Sequence, residues 1–129
     1  MSFTFELYTD NGSVPPRYRR SSRTTLHADG TGTVRRRLGY ATGSETEHAF
    51  HLDAPEALTE ALREAGLWRT EWREREGAGV SRPIGGSTVR LTATLDGETV
   101  TVPDPVAREQ VDLKRRVVGL IREAVRGAG

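Results

Sequence analysis

The sequence contains no cysteine. That excludes disulfides, thiolate zinc sites and cysteine nucleophiles, and it is compatible with a reducing cytoplasm. No stretch approaches the ~18 apolar residues that a membrane-spanning helix needs. The opening residues, "MSFTFELYTDNG", have neither the basic start nor the apolar run of a signal peptide. The expected location is therefore cytoplasmic, with no membrane partner. An excess of one charge is also missing, since 19 Lys and Arg face 18 Asp and Glu. Nucleic-acid-binding domains usually carry a clear basic surplus. Lysine itself is nearly absent, and Lys114 is the only one. The arginines that replace it are spread along the whole chain.

The usual signatures of catalysis are missing too. There is no G-x-S-x-G elbow around a nucleophilic serine. His27, His48 and His51 are the only histidines. His48 and His51 stand three apart on an expected strand, which points them to opposite faces and makes them poor chelators. Glu56, Glu60 and Glu64 recur at helical spacing beside Arg63, as on a solvated helix face. Gly85, Gly86, Ser87 and Thr88 could aim backbone N–H groups at an anion, but they precede a strand, whereas phosphate-binding loops precede a helix. The expectation is a protein with no metal, no cofactor and no enzymatic activity.

What is present reads as alternating strands and two helices. Phe3, Phe5 and Leu7 alternate with polar residues, as in a strand with one buried face. Asp10, Asn11, Gly12, Pro15 and Pro16 end it. A second strand is expected from Arg20 to Ala28 and a third from Thr33 to Tyr40, with Val34, Leu38 and Tyr40 inward. Asp29-Gly30 turns between them, widened by Thr31 and Gly32. "EHAFHLD" gives a short strand with Phe50 and Leu52 inward. Asp53, three residues before Glu56, suggests a capping box at the start of a helix. Leu58, Ala61, Leu62 and Ala65 form its apolar stripe, and Gly66 stops it. "STVRLTATLDGETVTVP" is a hairpin turning at Asp96-Gly97. A last helix is expected from Val106 to Arg126, with Leu113, Val117, Leu120, Ile121, Ala124 and Val125 on one stripe. The 129 residues make one domain of the α+β class: an antiparallel sheet of five or six strands with two helices packed on one face.

Three stretches are candidate contact surfaces. Val14, Pro15, Pro16, Arg17 and Tyr18 form a stiff loop, because proline has little conformational entropy to lose. Arg35 and Arg37 point away from Val34 and Leu38 and give the first hairpin a basic outer face, either solvated or turned to an acidic protein partner or a phosphate backbone. Trp68 and Trp72 follow the first helix, where one is expected to cap the core and the other could anchor a partner.

The segment from Ala57 to Val125, with "LREAGLW", "VRLTATLDGETVTV" and the last helix, resembles emfourin-type proteins, small inhibitors of thermolysin-like metallopeptidases. The plan is also similar to that of small uncharacterised bacterial domains. The resemblance implies the α+β fold and a peptidase as the partner. "SVPP" and the long basic hairpin depart from it, so no inhibitory residue is carried over. The functional expectation is a non-catalytic protein–protein interaction module: an inhibitor, immunity or accessory subunit. The alternative is a small-ligand- or nucleic-acid-binding domain.

Overall fold

In β1 (Phe3–Asp10), Phe3, Phe5 and Leu7 are each only 3% exposed, while the residues between them stay partly open. That alternation gives β1 one buried face. A computed structural model describes residues 2–11, 20–39, 45–75 and 88–128. It adds β2 (Arg20–Leu26), β3 (Thr31–Leu38), β4 (Glu45–His51), β5 (Thr88–Leu95) and β6 (Glu98–Val102). The helices are α1 (Pro55–Ala65) and α2 (Val111–Gly127). The six strands run in the order β4-β3-β2-β1-β5-β6, and every neighbouring pair is antiparallel. The architecture is α+β, as expected.

Register carries one face across the sheet. Leu7 lies opposite Thr24, Thr24 opposite Val34, and Val34 opposite His48. On the other side Leu7 faces Leu91, which faces Val102. Residues of this inner face join Leu58 and Leu62 of α1 and Val117, Val118 and Ile121 of α2 in a single hydrophobic cluster. Each such side chain taken out of water contributes about 1.5–3 kcal/mol before entropy is counted.

Local chemistry explains most boundaries. Pro55 occupies the first turn of α1, where its missing N–H would have no partner. Gly66 ends the helix in a left-handed conformation at φ 100°, donating to the carbonyls of Arg63 and Leu62. Asp96 and Gly97, at φ 50° and 86°, turn β5 into β6 in two residues.

Several expectations need correction. The N-cap of α1 is Ala54, with no side-chain cap, so Asp53 forms no capping box; its carboxylate instead lies 3.5 Å from His51 Nδ1. Thr31 and Gly32 belong to β3 and do not widen the turn, because His27 N–H already closes the loop on the Thr31 carbonyl. The last helix does not begin at Val106. Val106 is held extended by a bridge to Glu74, and a short 3₁₀ turn, Arg108–Gln110, precedes α2. Leu38 has the inward parity of Val34 yet is 58% exposed, since the hydrophobic cluster ends before that end of β3. Tyr40 lies outside the described residues.

Candidate functional site

The outer face of the first hairpin is not basic once β4 is in place. Register sets Arg35 opposite Glu47 and Arg37 opposite Glu45. Arg35 bonds Glu45 at 3.0 Å and Glu47 at 3.1 Å, and Arg37 reaches Glu45 at 3.4 Å. One strand away, Arg23 lies 3.5 Å from Glu6 and stacks over the Tyr8 ring. These exposed pairs add little stability, but they cancel the charge that β2 and β3 carry alone.

Both tryptophans pack against the hydrophobic cluster and are half-buried. Trp68 meets Phe3 edge to face, with ring centroids 6.0 Å apart. Trp72 donates from Nε1 to the Leu67 carbonyl at 3.0 Å. Trp68 Nε1 is buried with no partner among the described residues. Val14, Pro15, Pro16, Arg17 and Tyr18 lie outside the described residues, as do Gly85, Gly86 and Ser87. The structure therefore brings Arg35 and Arg37 together on one face and places the tryptophans elsewhere, against the core.

A different place gathers three arginines that have no ion pair among the described residues. The inner face of β1 to β4 and the last turns of α2 enclose a cleft of about 560 Å³. Its apolar wall includes Val34, Phe50, Ile121 and Val125, and its polar wall Ser22, Thr24, His48 and three arginines, Arg36, Arg122 and Arg126. Among the described residues no carboxylate lines it. A second hollow of about 630 Å³ shares Thr9, Ser22, Arg36 and Arg122 with it and extends toward Arg20 and the exposed Leu38. The position of each arginine follows from periodicity. Arg36 is two residues from the inward Val34, and Arg122 and Arg126 are one turn apart beside Val125. Alternation along β3 already points Arg36 inward, so this residue was readable from the sequence. That a cleft remains around it depends on where α2 stops covering the sheet, which no local pattern records.

The perturbed carboxylates lie elsewhere. The Thr31 hydroxyl and then the Thr31 backbone N–H, both donating to Asp29, hold that carboxyl below its usual value. Glu109 is lowered by its own backbone N–H and then by Arg73. Both sit at turns, remote from the cleft lining. Among the described residues no group of three or more His, Cys, Asp and Glu could hold a metal, and no helix is long and apolar enough to cross a membrane. The sequence matches no protein-family model and no curated protein.

Proposed function

We propose that the protein is a non-catalytic binding module that takes a small, partly apolar ligand in the cleft between α2 and the inner face of β1 to β4. The supporting observation is the cleft itself. At about 560 Å³ it falls within the roughly 300–1,000 Å³ of small-molecule sites. Its apolar wall of Val34, Phe50, Ile121 and Val125 faces a polar wall of similar extent with three arginines, which suits a ligand with both an apolar and a polar part. The test is a titration of isotope-labelled protein with decanol, a neutral ten-carbon probe, followed by amide NMR. The expected shifts cluster at Ser22, Val34, Phe50 and Val125. Shifts confined to another surface would reject this reading.

A second reading keeps a protein partner, the emfourin-type inhibitor role included. Leu38 supports it as the large apolar side chain left exposed among the described residues, beside the second hollow. A stoichiometric partner that co-purifies with the wild type and is lost on Leu38→Glu would favour this role. Retention of the partner by that variant would exclude Leu38 from the contact.

A further inference from the structure

β3 carries three arginines in a row. Arg35 and Arg37 face outward and both are neutralised by glutamates of β4. Arg36, between them, faces the cleft and has no ion pair among the described residues. The same holds for Arg122 and Arg126. A position near the C-terminal end of α2 favours cations through the helix dipole, which accounts for Arg126 as a helix residue. It does not account for Arg36, which comes from the inner face of a strand whose preceding inward residues are Gly32 and Val34. Nor does it explain why Arg122 and Arg126, like charges at i and i+4, which repel on a helix, line the same hollow as Arg36. The neighbouring acidic group is Asp10, which borders the second hollow and receives the Tyr8 hydroxyl at 2.9 Å. The chain as a whole is almost neutral, with 19 basic residues against 18 acidic. Among the described residues, the cleft is thus a local concentration of unneutralised positive charge over an apolar wall.

We infer that the ligand of this cleft is an amphipathic organic anion, with a carboxylate or phosphate head held by Arg36 and Arg122 and a hydrocarbon or aryl body against Val34, Phe50 and Val125. The inference rests on the cleft being the binding site. A guanidinium offers a planar fork that matches both head groups with two parallel hydrogen bonds. The hydroxyls of Ser22 and Thr9, which bond each other at 2.7 Å, leave one O–H to donate to the head. The apolar wall supplies affinity without direction, and the arginines fix which end enters.

The test compares three probes of equal chain length, decanoate, decyl phosphate and decanol, by calorimetry at low salt. At least one anion is expected to bind roughly 10-fold or more tightly than decanol, because hydrogen bonds to charged groups are worth more than neutral ones. The ratio of decanoate to decyl phosphate tells the two head groups apart. In the double variant Arg36→Gln, Arg122→Gln the anion should lose that advantage over decanol measured on the same variant. Both side chains are exposed, so the variant should fold, and its circular dichroism and Tm check this. Decanol binding as tightly as both anions, or anion binding unmoved by the double variant, would overturn the inference and leave the cleft as a neutral site. Failure of all three probes to bind would reject the binding-module reading itself.

Discussion

Gly32 shows how tightly the inner face is packed. It lies opposite Leu26 on one side and Phe50 on the other. A Cβ added there would come within 2.2 Å of the Phe50 ring and 2.6 Å of the Thr25 carbonyl oxygen. The ring can move only by giving up its place against the core, and the backbone oxygen is fixed in the β2–β3 ladder. Gly32→Ala should therefore lower stability by about 1–3 kcal/mol, the usual cost of overfilling a packed site. Urea unfolding checks this, and a change under 0.5 kcal/mol would show that Phe50 swings aside freely. Because Phe50 also lines the cleft, the variant should disturb probe binding as well. The lowered carboxyl of Asp29 has a simpler consequence. A depressed folded-state pKa adds stability that is present above the unfolded-state value and is lost as pH falls through the folded one. This group sits at an exposed turn, where solvent screening keeps such an effect small.

Among the elements, those fixed by neighbours in sequence were legible and those fixed at a distance were not. The β5–β6 hairpin is readable because Asp96 and Gly97 accept positive φ and apolar alternation flanks them. The stop of α1 is readable because Gly66 tolerates φ 100°. The start of α2 is set by remote contacts: Val106 bridges Glu74. The side chain of Gln110 accepts from the Arg73 N–H and donates to the Glu71 carbonyl. Lys114 Nζ meanwhile donates to the Pro103 carbonyl at 2.7 Å. Apolar period alone cannot register such clamps. The capping box failed for a related reason. Asp53 and Glu56 have the right spacing, but Pro55 already restricts Ala54, and Ala54 is the N-cap. Asp53→Ala should therefore change stability by less than about 0.5 kcal/mol, the range of a plain surface substitution. A loss near 1 kcal/mol, typical of a broken cap, would restore the capping role.

For the whole molecule, the arrangement of charge matters more than its sum. On the outer face Arg35 and Arg37 pair with the glutamates of β4, while Arg36 lines a cleft on the inner face together with Arg122 and Arg126 of α2. Alternation along β3 assigns Arg35 and Arg37 to the outside, which the strand register bears out. Alternation alone does not reveal that β4 neutralises those two and leaves Arg36 without an ion pair among the described residues, since that depends on the register of β4 against β3. The central claim is that the cleft is where this molecule binds, and filling it tests that most directly. Ser22 is on the inner face and lines both hollows. Tryptophan suits a strand position and would occupy the space above Thr9 and beside Arg36. Decanoate and decyl phosphate affinities would be measured for the wild type and for Ser22→Trp, with Tm confirming that the variant is folded. The account predicts that whichever anion the wild type binds, Ser22→Trp binds at least roughly 10-fold more weakly, a loss of about 1.4 kcal/mol or more. Unchanged affinity in a folded Ser22→Trp would place the binding site elsewhere and contradict it.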